Sequence, residues 1–384
     1  MVLLKNEGNT LPLKKPHKMA IFGSHTRTAV ADPNMQFSVM SSGPTYDGHL
    51  ATDSGTGQGS LSYLITPEME LNRKASQDGT MLRWVANDTY SSSSGYGLVM
   101  QGSKSTSVTS AISSYAENMD VCIVFINALA GEGTDRAELY NTGQDALIKE
   151  VADNCANTAV VINTVGARLV DHLLGQESGN SIVDVLYGDV NPSGRLIYTI
   201  AKNESDYDVD ICNTHNCNFA EGYYIDHQHF DAYNVTPRYE FGYVLSYTNF
   251  TSSHLNIDAP SSISHYPTGK LSVDGYEDLW DVVVNVSVKV RNTGSVDGAD
   301  IPQIYIGYPE AARQPVRQLR GLDNVEVKSG QQQEVKFELR RRDISHWDVE
   351  APNWAVEPGT YQVYVGASSR DLRLHSSFSI KNQS

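Results

Sequence analysis

Val121-Cys122-Ile123-Val124-Phe125-Ile126 is an unbroken apolar run, typical of a strand covered on both faces. After it comes a loop, Ala130-Gly131-Glu132-Gly133-Thr134-Asp135-Arg136. Next, Gln144 to Ala152 places Leu147, Ile148, Val151 and Ala152 on one helical face. Thr158-Ala159-Val160-Val161-Ile162-Asn163 is a second short apolar run. Strand, loop, helix and strand in that order imply an α/β layer with a largely parallel sheet. Working outward, Lys18 to Gly23 reads as another buried strand ending at glycine, and Ile182 to Tyr187 as a fourth. Residues 105–116 are a weaker, serine-rich helix signal.

Beyond residue 245 the period changes. From Asp281 to Arg291 the valines at 282, 284, 286, 288 and 290 point one way, and Val283, Asn285, Ser287, Lys289 and Arg291 the other. Strand signals follow at 301–308, 323–328, 334–339, 360–366 and 373–380, separated by turns such as Lys328-Ser329-Gly330 and Glu357-Pro358-Gly359. No helical pattern interrupts them. Short strands at this spacing predict a β-sandwich of immunoglobulin-like or fibronectin-III-like type. Residues 201–245, rich in Asp, Asn and aromatics, read as an ordered connector.

The whole chain of 384 residues has room for two domains. Its 29 Lys+Arg against 45 Asp+Glu give a net charge of −16, which argues against nucleic acid or an anionic membrane surface as a general partner. No apolar run approaches the roughly 18–20 residues of a membrane-spanning helix. The first residues carry no signal-peptide pattern. Even so, N-glycosylation triplets at Asn87, Asn203, Asn249, Asn285 and Asn382 tilt toward a secretory route, and a sixth at Asn234 is followed by Pro237.

Of the four cysteines, Cys122 lies inside the apolar run and reads as a buried free thiol. Cys212 and Cys217 bracket a polar tetrapeptide, a spacing that permits a small disulfide-closed loop. A metal would recruit His215, His227 and His229, but no second cysteine pair stands at zinc spacing, so no metal is expected. The glycines of Ser54 to Ser60 lack the Gly-Lys-Ser/Thr ending of a phosphate loop, and no Gly-x-Ser-x-Gly elbow occurs. The Gly131-Glu132-Gly133 segment is more informative. It follows a strand, and ligands of α/β sheets gather at the carboxyl ends of strands. A carboxyl flanked by two glycines there suits a general acid once burial raises its pKa. Asp135 and Arg136 could orient it or bind substrate hydroxyls, and a solvated turn with an Asp–Arg ion pair is the alternative.

Several ordered motifs carry a resemblance. Val2 to Leu13, Ser54-Gly55-Thr56 with Tyr63 to Pro67, Gly131-Glu132-Gly133 with Asp135-Arg136, Gly175 to Asn180 and Asn191 to Arg195 all take part. With Pro237 to Gly242, Gln318 to Gly321 and Gly359-Thr360-Tyr361, the chain resembles glycoside hydrolase family 3 β-glucosidases of fungal type over nearly its whole length. The resemblance implies an α/β sandwich domain, a mostly parallel sheet with flanking helices, followed by an all-β fibronectin-III-like sandwich. It divides the chain into a linker remnant (1–17), the α/β domain (18–200), the connector (201–245) and the β-sandwich (246–384).

The same resemblance implies a retaining β-glucosidase acting on terminal β-glucosyl residues of cello-oligosaccharides or aryl glucosides, with no cofactor. Glu132 matches the acid/base, Ser54 a serine that reaches the sugar, and Arg136 a further substrate contact. Cys212 and Cys217 resemble a cysteine pair of some fungal members, and the family is secreted. In the family the nucleophile is an aspartate on a preceding (β/α)₈ barrel, yet no Ser-Asp-Trp motif and no Lys-His pair occur in this chain. The loop after Gly133 is short, and between Asp171 and Gly175 a strand usual in the family is missing. The expectation is therefore a fragment, inactive alone. A non-catalytic carbohydrate-binding or scaffold protein and a β-xylosidase of the same family are the alternatives.

Overall fold

The computed structural model describes residues 1–27, 48–49, 51, 62–86, 111–128, 139, 141–164, 175–209, 212 and 214–382. The chain divides into two compact units, Lys5–Val190 with Met1, and Asn191–Ser384 with Val2–Leu4.

The first unit runs β1 (Lys18–Phe22), α1 (Pro67–Asp78), β2 (Met81–Val85), α2 (Ile112–Ala116), β3 (Val121–Ala128), α3 (Thr142–Asn154), β4 (Thr158–Thr164) and α4 (Ser178–Tyr187). All four strands are parallel, in the order β2-β1-β3-β4. Each face of the sheet is covered. Ala20, Phe22, Cys122, Val124 and Ile126 pack with Ile112 of α2 and with Leu147 and Val151 of α3. On the other face Met19, Ile21, Val121, Ile123 and Phe125 pack with Leu71 and Ala75 of α1 and with Ile182, Val183 and Leu186 of α4. Burial on both faces is why β3 reads as one apolar run.

Two expectations need correction. Ile182 to Tyr187 is not a strand but the second half of α4. Its buried residues Ser178, Gly179, Ile182, Val183 and Leu186 recur at three and four, and Gly188 ends the helix at φ 79°. A Cβ at Gly179 would overlap the Thr66 carbonyl, so only glycine lets α4 pack this closely against the start of α1. The remaining strand is β2, an edge strand with a mixed burial pattern. Second, Cys122 is not a free thiol: it is bonded to Cys155. In a strand–helix–strand unit the helix runs back antiparallel to the strands, so the end of α3 returns beside the start of β3. That return brings the two Cα atoms to 6.3 Å across 33 residues of sequence. Residues 171–174, where the resemblance implies a missing strand, lie outside the described residues, as do 105–110 of the serine-rich helix signal.

In the second unit, a five-stranded sheet runs Gln318–Leu322, Gln303–Gly307, Gly359–Gly366, Leu372–Asn382 and Ser262–Ile263. A three-stranded sheet, Gln332–Arg340, Val282–Asn292 and Phe250–Asp258, faces it. Val284, Val286, Val288 and Val290 enter the shared core, while the first of the alternating valines, Val282, is exposed at the strand's end. Tyr361, near the start of its strand, donates its hydroxyl hydrogen toward the Glu357 carbonyl at 2.9 Å, with the Ile344 carbonyl at 3.2 Å. That is the tyrosine corner of immunoglobulin-like sandwiches. Tyr361→Phe removes the donor that these two carbonyls share, one buried and one half-buried. It is expected to lower the stability of this unit by about 1–3 kcal/mol, read from the urea midpoint.

The segment leading into the sandwich is fastened by hydrogen bonds. Asp226 accepts from Thr199 N at 2.7 Å, Thr199 Oγ1 at 2.9 Å and His227 N at 2.6 Å. Burial alone would raise its pKa, but these bonds and His227 outweigh it and hold the carboxyl below its ordinary value. Cys212 and Cys217 are joined in a disulfide within the exposed loop before this point.

Candidate active site

The sheet order places β1 and β3 side by side while their connections leave in opposite directions, β1 toward β2 and β3 toward β4. The carboxyl ends of such a pair form a crevice. The segment carrying Glu132 and Arg136 leaves β3 there, three residues separating Ala128 from Glu132. Glu132, Arg136, Ser54 and Asn87 lie outside the described residues. What the structure does describe is the edge from which these segments spring.

At that edge β1 passes through Gly23 into the turn Ser24–Thr26. Gly23 takes φ 103°, and a Cβ there would overlap the Phe125 carbonyl oxygen, so glycine is required for this approach to β3. His25 Nδ1 lies 2.7 Å from the Gly48 carbonyl oxygen, His49 N donates to the Arg27 carbonyl at 2.7 Å, and His49 Nδ1 lies 2.9 Å from the His25 carbonyl oxygen. Asn163 of β4 brings its side-chain amide to 3.2 Å from the same Nδ1. Gln144, in the first turn of α3, donates to Asn127 Oδ1 at 3.2 Å. His25, His49, Gln144 and Asn163 are all buried.

Helices α1 and α4 begin at this edge too. Thr66 caps α1, accepting from Met69 N at 3.4 Å, with Pro67 in the first turn. Ile65 N donates to the Gln176 carbonyl at 2.9 Å and Gly179 N to the Ile65 carbonyl at 2.8 Å, which staples the exit of the Ser54 segment to the start of α4. Half-buried Glu177 accepts from exposed Tyr63 and, at 2.6 Å, from Asn180 Nδ2. The Tyr63 hydrogen bond leads the effects that hold its carboxyl below the ordinary range.

Of the glycosylation candidates, Asn203, Asn249 and Asn285 are exposed. Sequence reasoning missed His25, His49 and Asn163. The only trace of them was a polar residue at the end of each apolar run, His25 after Gly23 and Asn163 after Ile162.

A four-stranded parallel sheet flanked by helices, with a fibronectin-III-like sandwich after it in the chain, defines a two-unit architecture that the comparisons narrow to one family. Residues 1–247 match the glycosyl hydrolase family 3 C-terminal domain, and residues 300–369 the fibronectin type III-like domain. The chain belongs to glycosyl hydrolase family 3. It is 71% identical over 397 residues to a protein named probable beta-glucosidase D from Emericella nidulans, covering 100% of this chain and 49% of the relative. The namesake from Aspergillus niger is 59% identical, with 100% and 53% covered. The crystal structure of a beta-D-glucoside glucohydrolase from Trichoderma reesei superposes with a TM-score of 0.88 at 38% identity, covering 99% of this chain and 54% of that one. Beta-glucosidase D2-BGL from Chaetomella raphigera gives 0.87 at 38% identity, with 98% and 53% covered. The chain thus spans about half the length of the relatives it matches.

Proposed function

We propose that this chain supplies the acid/base half of a retaining β-glucosidase that removes terminal glucosyl residues from cello-oligosaccharides and aryl glucosides. The observation that carries the reading is the departure of the Gly131-Glu132-Gly133 segment from the carboxyl end of β3, beside the crevice. Glu132 protonates the leaving glycosidic oxygen and then, as a carboxylate, takes a proton from the incoming water. An aspartate on a barrel outside these 384 residues forms the glycosyl-enzyme, about 5–5.5 Å from the glutamate carboxyl. Ser54 and Arg136 hold sugar hydroxyls. The enzyme follows the secretory route, in keeping with two closed disulfides and exposed acceptor asparagines at 203, 249 and 285.

The purified chain is expected to release no nitrophenol from 4-nitrophenyl β-glucoside. Supplied with the barrel half of the Emericella nidulans relative, it should gain turnover, and Glu132→Gln should lower that turnover by about 10²–10⁴-fold. Hydrolysis by the chain alone that Glu132→Gln abolishes would refute the division of labour. Turnover of the pair that survives Glu132→Gln would remove Glu132 from the acid/base role.

A further inference from the structure

Besides Arg27 Nε, two buried polar atoms at the carboxyl edge lack a hydrogen-bond partner among the described residues, His49 Nε2 and Asn163 Oδ1. Their residues are 2% and 1% exposed. The His25 carbonyl oxygen can only accept, so its 2.9 Å contact assigns the imidazole proton to Nδ1 and leaves Nε2 as a bare lone pair; the Asn163 amide nitrogen 3.2 Å from Nδ1 then makes a packing contact, not a hydrogen bond. In the sheet, β3 separates β1 from β4, and strands two places apart lie about 9.6 Å from each other. His49 reaches the exit of β1 through His25 and approaches Asn163 on β4. A single atom, Nδ1, thus meets both the turn after β1 and the side chain of Asn163, whose backbone is paired with Asn127, the penultimate residue of β3.

We propose that His49 is a positioning residue: a neutral imidazole that clamps the exits of β1 and β4 across β3, and so fixes the strand end from which the Glu132 segment departs. Its bearing on catalysis rests on the reading of Glu132 as acid/base.

The clamp depends on charge. Protonation would put a second N–H at Nε2, where no acceptor lies among the described residues. The titratable or charged residues of the turn packed against His49 are His25 and Arg27, both of like sign when charged. Among the described residues, the polar side chains at the strand ends are Asn127, Asn163 and Thr164, which do not titrate. Burial, first of all, pushes the imidazole down to about 4, against an opposing hydrogen bond to the His25 carbonyl and with repulsion from His25 added. With the folded value below the unfolded one of about 6.5, the clamp contributes fully above that pH. Its contribution is lost as the pH falls toward 4.

The test uses the full chain labelled with ¹³C-histidine. The His49 signal should titrate near pH 4, apart from the exposed histidines. His49→Ala should speed amide exchange at Asn127, Ala128, Asn163 and Thr164 by about tenfold or more at pH 7, leaving the sandwich unit unchanged. His49→Gln keeps a donor for the His25 carbonyl and should restore most of the protection. Titration near the ordinary value, or unchanged exchange in His49→Ala, overturns the proposal. If His49→Ala does not fold, the wild-type titration and His49→Gln still decide. None of these readouts involves Glu132, so their failure leaves the acid/base reading to the glucoside assay.

Discussion

The double replacement Cys122→Ala with Cys155→Ala is expected to lower the stability of the α/β unit by about 3.5–4 kcal/mol. The bond closes a loop of 33 residues, and chain-entropy arguments give that magnitude for a loop of this size. Both partners are buried, at 0% and 3% exposure, so the truncation adds a small packing loss in the core of Phe22, Val124 and Leu147. The bond also ties the C-terminal end of α3 to the start of β3, two elements that frame the Glu132 segment. Urea unfolding followed separately in the two units checks the expectation: the α/β transition should move and the sandwich transition should not. The same replacement at Cys212 and Cys217, only five positions apart in sequence, is expected to cost about 2 kcal/mol at most, since the shorter loop restricts the unfolded chain less. Equal shifts from the two pairs would contradict the loop-length argument.

The hidden disulfide illustrates what a sequence can carry. Periodicity is a local property, and where one environment holds along a whole element it is easily read. β3, buried on both faces, appears as an apolar run; the strand Val282–Asn292, buried on one face, appears as alternating valines. Helix α4 misleads because Ile182, Val183 and Val185 are β-branched and make a short apolar string that suits either element. The length of the element and its bounding glycines decide for the helix. Helix α1 did carry a signal, Thr66-Pro67 followed by Glu70, though its mean hydropathy is low and little of it reads as core. β2 shows only an edge pattern, with Trp84 half exposed.

Pairings between distant residues carry no period at all. Nothing local to Cys122 points to Cys155, and nothing local to His49 points to His25 and Asn163. The order of strands brings them together. The acidic loop after β3 was legible because its position relative to one strand is fixed by sequence alone. The described carboxyl edge, by contrast, is assembled from separate stretches around Gly23, His49, Asn127 and Asn163, and no single stretch encodes it.

A second pairing of this kind sets the other large expectation. Asp231, on the short helix His227–Ala232, lies 2.9 Å from Arg317 Nη2 and 3.2 Å from Arg370 Nη2, with only 6% of its side chain exposed. Arg370 also donates to the Phe230 carbonyl at 3.0 Å and the Val235 carbonyl at 2.8 Å. Arg317 Nε is buried without a partner among the described residues. One carboxylate therefore compensates two guanidinium groups that have little access to water. Asp231→Ala leaves both cations facing each other, and it is expected to destabilise the second unit by about 3–5 kcal/mol. Most of that loss comes from the uncompensated charge rather than from the pair itself. Adding Arg317→Met to Asp231→Ala should accordingly regain part of the stability, while Arg317→Met alone should cost less than Asp231→Ala. Urea midpoints of the three variants test the point. Additive losses across the double variant would mean that Asp231 holds its helix by packing, and that the charge it balances contributes little.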